Sequence, residues 1–574
     1  MPGFRVCNVV TESALPDKFP ERCVRGILFS GGGIAQRQTL NKFLRDKAFE
    51  ETDQLIVVAE GYLLNKTVLF KKYGASSMAD LVKQMLEHCG EAYFTEFRGC
   101  FSGAVYVKAE NKWIVYTNQI GDNPIFYLQE GGYFAAASQV SYLLGFCKEH
   151  GLDLTFNESC AYQMLTYGYI ATDETYANEI KRLDGGNYLV FQNGKLEVKT
   201  YHRFEKHTER FEGKTETQII DEIDRVFRAA VALEWGKDDE YGYRHLADLS
   251  GGLDSRMNLW VAHEMRDRHM TVLTYCKEGY LDEIIARSIA SYWKDEFLFK
   301  PLDDAAFMYD VEENTNLLSG LSLYSGITGG KRFLESLDLS DYGIEHTGMV
   351  GDSALGSFYH NPDDGKRGWP LGMYSEKLKN KLAEHVKHAS EKYYDHEIFL
   401  MYARGFHGAC NSHLIRRNYT EVGSPFLNVE FMQLCYDIPV TLRIGHKIYK
   451  KWIIQKYPQA AHFKWEKTGG RITEKHSGTV LRKLVKRGPN KLLRILGRDD
   501  RISEGMNPID YWISKDSELH TFLDKSMAEL LGSEKEHYSP MLAEDLSRLY
   551  EEGNASEKAM VLTVLSATKM YFSD

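Results

Sequence analysis

The chain has 574 residues, with 70 Lys and Arg against 81 Asp and Glu, a formal charge of −11 at pH 7. A single core seldom grows past about 300 residues, so two or three domains are expected, and 43% hydrophobic with 13% aromatic residues excludes a mainly disordered chain. The mildly acidic balance argues against a dedicated nucleic-acid binder, no apolar run approaches a membrane span, and the nine cysteines are scattered without CxxC spacing. Free thiols in a reducing, cytoplasmic setting are the simplest expectation.

Residues 1–205 consist of short apolar or alternating runs set between Gly, Asn and Asp turns, such as QLIVVAEGYLL (54–64) and GCFSGAVYVKAENKWIVYTNQ (99–119). NYLVFQNGKLEVKTY (187–201) places Asn193-Gly194 between two β-rich stretches, a hairpin signal, and SSMADLVKQMLEH (76–88) has helical spacing. This part therefore predicts an α+β sandwich. The charged stretch 204–216 reads as a linker, and TQIIDEIDRVFRAAVAL (217–233) as a helix. Beyond it, strand-like and helical segments alternate: HLADLS then a helix from Asp254, MTVLTYC then a helix from about 281, IEHTGMV then Asp352. That rhythm predicts a parallel sheet flanked by helices, ending in a mostly helical C-terminal part.

The sharpest feature is LADLSGGLDSRMNLWVA (246–262), in which a strand ends at Leu249, Ser250-Gly251-Gly252 turn the chain and a helix starts near Asp254. Paired glycines allow close backbone approach, and a helix N-terminus offers unbonded N–H groups, so the natural guest is an anion. No Walker A pattern occurs; SGITGGKR (325–332) is the nearest approach.

The Ser-Gly-Gly-Leu-Asp-Ser string resembles the pyrophosphate loop of the ATP pyrophosphatases, in particular the asparagine synthetase family. The resemblance continues in order along the chain. TGMVGDSALGS (347–357) is similar to the family's second loop, with Gly348, Asp352 and Gly356 matching. Pro425-Phe426-Leu427-Asn428 stands where the family has PFLD, KIYKKWIIQKYP (447–458) resembles its lysine-led helix, and EKTGGRI (466–472) its lysine–glycine loop. AEGYLLN (59–65), FRGCFSGAVYV (97–107), IGDNPIFY (120–127) and the segment 167–191 resemble the N-terminal amidotransferase domain of the same family. The resemblance implies an Ntn-hydrolase-like domain over 1–205 and an ATP-dependent synthetase domain over 217–574.

It also implies roles. Leu249, Ser250, Gly251, Gly252, Leu253, Asp254 and Ser255, with Gly348 and Asp352, would bind ATP. Asp254 and Asp352 would hold Mg²⁺, Lys447 would add charge near pyrophosphate, and Lys467 would stabilise the oxyanion formed when an amine attacks an acyl-adenylate. The implied reaction joins a small-molecule, peptide or sugar-acid carboxylate to an amine or ammonia, releasing AMP and pyrophosphate. A non-catalytic nucleotide-binding scaffold and a thiolation-type adenylating enzyme are the alternatives.

Four departures stand out. Pro2 occupies the place of the family's nucleophilic Cys, and Met78 or Ala79 that of its glutamine-holding Asp, so an inactive glutaminase domain is expected, as in β-lactam synthetases and lasso-peptide cyclases. Met349 replaces a Glu of the second loop, leaving the substrate, Glu345 or water to accept the amine's proton. Arg256 stands where a small residue is common. Separately, residues 464–502 carry 12 Lys and Arg, including Arg482, Lys483, Lys486 and Arg487, which reads either as a solvated helical face or as a surface for an anionic or membrane-associated substrate.

Overall fold

The computed structural model describes residues 2–16, 22–266, 268–326, 330–367, 372–474 and 506–573. Most of the basic stretch, from 475 to 502, lies outside the described residues.

The N-terminal part is built from two six-stranded antiparallel sheets. One runs in the order Lys181–Arg182, Phe126–Glu130, Tyr133–Ala137, Gly3–Cys7, Gly33–Leu40, Cys23–Ser30. The other runs Lys195–Thr200, Asn187–Gln192, Lys112–Thr117, Gly99–Val107, Leu55–Leu63, Phe49–Glu51. Their facing sides bury Phe4, Val6, Ile56, Val58, Val115, Phe134 and Phe191 in one core. The alternation along each strand dictates this, because successive side chains leave opposite faces. Asn193 and Gly194 both adopt positive φ (53° and 74°), the two-residue turn that matches strand twist.

A 26-residue helix, Glu216–Tyr241, follows the charged stretch and opens with a capping box between Thr215 and Gln218. The third sheet is wholly parallel, in the order Glu296–Pro301, Thr271–Cys276, Arg244–Asp248, Tyr342–His346, Glu421–Gly423. The chain starts in the middle strand, moves outward on one side, then crosses to the other. The middle strand and Tyr342–His346 therefore diverge at a topological switch point, where open α/β sheets place ligands. The C-terminal helices Ser517–Glu534, Pro540–Glu552 and Ala555–Phe572 share a core with the helices Val140–His150 and Glu158–Tyr167, so they close against the N-terminal part.

The seam between the sandwich and the parallel-sheet part is ionic and buried. Lys47 lies 3.3 Å from Glu60 and 2.6 Å from Glu421, Lys237 lies 2.6 Å from Asp46, and Arg417 lies 3.0 Å from Asp122. Under the parallel sheet, His346 bridges Glu234 and Asp238 at 2.9 Å each and stacks on Trp235 at 4.0 Å. Burial opposes a charge on His346, but the two carboxylates outweigh it and raise its pKa to about 9. With His245, Asp238 and His346 are the one trio of metal-ligating type among the described residues. Both nitrogens of His346 are already taken by carboxylates, so a shared proton accounts for the arrangement. Among the described residues no helix is long and apolar enough to cross a membrane.

Candidate functional site

The loops that leave Arg244–Asp248 and Tyr342–His346 meet at the switch point. Leu249 extends the middle strand by donating its N–H to Leu273 at 2.9 Å, and the chain then turns through 250–253 into the helix Asp254–Met265. Leu253 caps that helix without a side-chain acceptor, so the N–H groups of the first turn are not covered from within the loop. The loop is held in shape by its own hydroxyls. Ser250 N donates to Ser255 Oγ at 3.0 Å, Gly252 N to Ser250 Oγ at 3.2 Å, and Gly251 N to Asp282 Oδ1 at 2.6 Å. Burial, and next the charge of Glu466, raises the Asp282 carboxyl to about 6 against the pull of the Gly251 amide.

The second loop packs directly on the first. A Cβ on Gly348 would stand 2.3 Å from Ser255 N, and one on Gly351 2.7 Å from Asp254 Cγ, so glycine at both positions is a steric requirement. Between them Val350 has φ 57°, a left-handed conformation that a β-branched residue adopts only under strain. This strained turn presents Asp352, whose N–H donates to Asp254 Oδ2 at 3.0 Å, while Tyr449 OH donates to Asp254 Oδ1 at 2.7 Å. Burial first, then the charge of Asp352, pushes the Asp254 carboxyl up to about 8. Two facing carboxylates with one so raised repel each other unless a proton or a cation stands between them. That donor set, all hard oxygen, fits Mg²⁺ bound together with phosphate oxygens.

A cleft of about 460 Å³ opens between the loops. Leu249, Ser250, Gly252, Asp254, Ser255, Gly348 and Asp352 line it, together with Thr274, Tyr275 and Asp282 on one side and Met349, Phe358, Arg404 and Met506 on the other. Gly251 and Leu253, expected beside them, lie beneath this surface. Glu345 is not available to it: the side chain is fully buried against Arg416, which also bridges to Asp248 at 2.8 Å. Burial raises the Glu345 carboxyl well above the usual carboxylate range despite that partner.

The two lysines separate. Lys447 is exposed and donates to the Thr441 carbonyl at 3.1 Å, away from the cleft. Its helix begins after His446, which has a φ of 59°, and it is Lys450, one turn further on, that lies close enough to Lys467 to feel its charge. Burial and the Lys467 charge together lower the pKa of Lys450. Lys467 itself is exposed and close enough to act electrostatically on Asp254, His446 and Lys450. Burial, then Lys467, lowers His446 to about 4, so this imidazole is neutral near pH 7. Tyr449, Lys450, Asp282 and Arg404 are site residues that sequence spacing did not single out; only Lys450, one turn from Lys447, had a signal.

In the N-terminal part, Cys7 ends the first strand, is 1% exposed and lies against Val9 O at 3.3 Å, and burial raises its thiol to about 11. Asn65 spends its side chain on Glu96 O and Arg98 N, and Met78 and Ala79 are core residues.

Residues 49–202 match the family model for a glutamine amidotransferase domain. This stretch of the chain is a glutamine amidotransferase-like domain. The solved structures found similar include two enzymes. One is a glutamine phosphoribosylpyrophosphate amidotransferase from B. subtilis complexed with ADP and GMP, at 10% identity over 41% of this chain and 50% of that one, with a TM-score of 0.21. The other, titled as the allosteric regulatory enzyme of purine biosynthesis, shares 8% identity over 52% and 74%, with a TM-score of 0.23. The chain thus spans half the length of the first of these structures. No curated protein matches the chain.

Proposed function

We propose that the chain is an ATP-dependent, AMP-forming ligase that joins a carboxylate to an amine or ammonia, as members of the asparagine synthetase family do. The observation that carries this reading is the meeting of loops 249–255 and 348–352 at the switch point, where the Asp352 N–H bonds Asp254 at an uncapped helix start and the two carboxylates lie close enough to act on each other electrostatically. The 250–255 loop and the helix N-terminus would receive the phosphates. When bound, Mg²⁺ would neutralise phosphate charge; Asp254 and Asp352 are the residues to hold it. A substrate carboxylate oxygen attacks the α-phosphorus of ATP, pyrophosphate leaves, and the amine nitrogen then attacks the acyl carbon to expel AMP and lose a proton. Lys467 faces the same cluster and would stabilise the oxyanion of that second step. Lys450 is better placed than Lys447 to add positive charge. With Glu345 held by Arg416 and Met349 apolar, the proton of the amine goes to substrate or solvent.

The amidotransferase-like domain serves as scaffold in this reading. Pro2 has no thiol, Cys7 is buried with its thiol neutral, and Met78 and Ala79 sit in the core where a glutamine-binding carboxylate would be needed. The nitrogen therefore comes from ammonia or a substrate amine.

The test is pyrophosphate release from ATP·Mg²⁺ across a panel of acids, with and without amines. Release that depends on one acid, with an amide as product, supports the reading. ATP binding without turnover for any acid favours the scaffold, and no ATP binding at all overturns both.

A further inference from the structure

Arg256 is the second residue past Asp254 and is wholly buried, with no carboxylate within ion-pair distance among the described residues. Burial lowers its pKa to about 10, which still leaves it charged at neutral pH. A buried charge is costly unless it is hydrogen-bonded, and here main-chain carbonyls alone bond the two Nη groups while Nε is left without a partner. Nη1 donates to Ala460 O at 3.2 Å and Phe463 O at 3.4 Å; Nη2 donates to Gly251 O at 3.2 Å and to Lys464 O. One guanidinium thus joins the loop after the middle strand to the segment that leads into Lys467.

Gly251 is the junction. Its carbonyl also accepts Glu466 N–H at 3.1 Å, its own N–H is held by Asp282, and a Cβ there would meet Glu466 Cβ at 2.8 Å. From Lys464 to Arg471 the chain forms a tight loop, closed by Trp465 N to Gly470 O at 2.7 Å and Gly469 N to Trp465 O at 2.8 Å, with Lys467 near its tip. Glu466 is braced on its other side by Tyr280 OH at 2.6 Å. Any shift of the Gly251 peptide is therefore transmitted to the residue beside Lys467.

We infer that Arg256 is a positioning residue that couples occupancy of the 250–255 loop to the order of the Lys467 loop, so that the lysine is set in place only when the nucleotide is seated. The inference rests on reading 250–255 as the nucleotide loop. A Lys at 256 keeps the charge but cannot span carbonyls of both loops, whereas Arg's planar fork can.

Hydrogen exchange with mass spectrometry tests it on the full chain, using a non-hydrolysable ATP analogue with Mg²⁺. In the natural protein the analogue should slow exchange at 250–256 and 463–470 together, by about tenfold or more. Arg256→Lys should keep protection at 250–256 and lose it at 463–470, with kcat for pyrophosphate-coupled amide formation down about tenfold or more and KM for ATP changed less than about threefold. Equal protection of 463–470 in both proteins, or a loss confined to KM, overturns the coupling. If the analogue protects nothing in the natural protein, the ligase reading fails. The tie is then judged without ligand: Arg256→Lys should speed exchange at 463–470 by about tenfold, and no change overturns it. If Arg256→Lys does not fold, joint protection in the natural protein decides, and protection of 250–256 alone overturns the inference.

Discussion

The sandwich and the parallel sheet each bring loops together at the place where an enzyme of this build would do chemistry, and the two places have been filled differently. At the switch point, glycines 348 and 351 make room, a helix start is left uncapped, and Val350 is held in a strained turn so that Asp352 faces Asp254. At the head of the sandwich, the corresponding positions are met from within: Cys7 is sealed in the core, Asn65 ties down two backbone groups, and Met78 and Ala79 pack against the sheet. On the proposed reading, strain and repulsion persist where a ligand would offset them and are absent where none is bound.

The strongest way to break this contrast is Asp352→Asn. It removes one of the facing charges from an exposed side chain, and pyrophosphate release should fall on the order of 10²–10³-fold while the melting temperature holds or rises slightly as the repulsion on Asp254 is relieved. Asp254→Ala is a poorer test, because that carboxylate also holds the Asp352 amide and the Tyr449 hydroxyl. Lys467→Ala should slow amide formation by about 10²-fold while ATP–pyrophosphate exchange survives, since only the second step develops the oxyanion; equal loss of both would move Lys467 to the nucleotide.

A smaller effect sharpens the electrostatics. The Asp254 carboxyl is raised from 3.8 to about 8, chiefly by burial and then by Asp352. Mg²⁺ must displace that proton, so affinity for ATP·Mg²⁺ should drop by up to about tenfold per pH unit below about 8. The unliganded protein should respond in the opposite sense. A folded-state value above the unfolded one adds stability that is complete below 3.8 and is lost as pH rises through about 8. Calorimetry of ligand binding and thermal melts over pH 6–9 measure both; parallel trends would contradict the assignment. The smallest expected effect is none: Pro2→Cys should release no glutamate from glutamine, and measurable glutaminase activity would erase the contrast between the two regions.

What could be read from the sequence was what the chain decides locally. The Asn193-Gly194 hairpin, the helix from Asp254 and the strand–loop pairs at 246–255 and 342–352 all follow from turn chemistry and short-range periodicity. Lys447 was named and Lys450 was not, because the motif marks a position along the helix, whereas which of two lysines one turn apart nears Lys467 is settled by tertiary packing. Asp282, Tyr449 and Arg404 reach the cleft from remote segments, and Arg256 looked like an oddity until its carbonyl partners were in place. Lys42, Lys47, Asp46 and Arg417 carry no signal of burial in the sequence, yet they are buried or nearly so at the seam, since only tertiary pairing removes such groups from water.

That seam governs the chain's modularity. Lys47, between Glu60 on one side and Glu421 on the other, behaves as a rivet whose two plates are useless apart. Expressed alone, either half would expose or strand charges that the other half neutralises, and would be expected to aggregate rather than work as a separate enzyme. The sandwich cannot be shed without rewriting the opposing face. On the proposed reading, the ionic seam would keep the sandwich in place even without a reaction of its own.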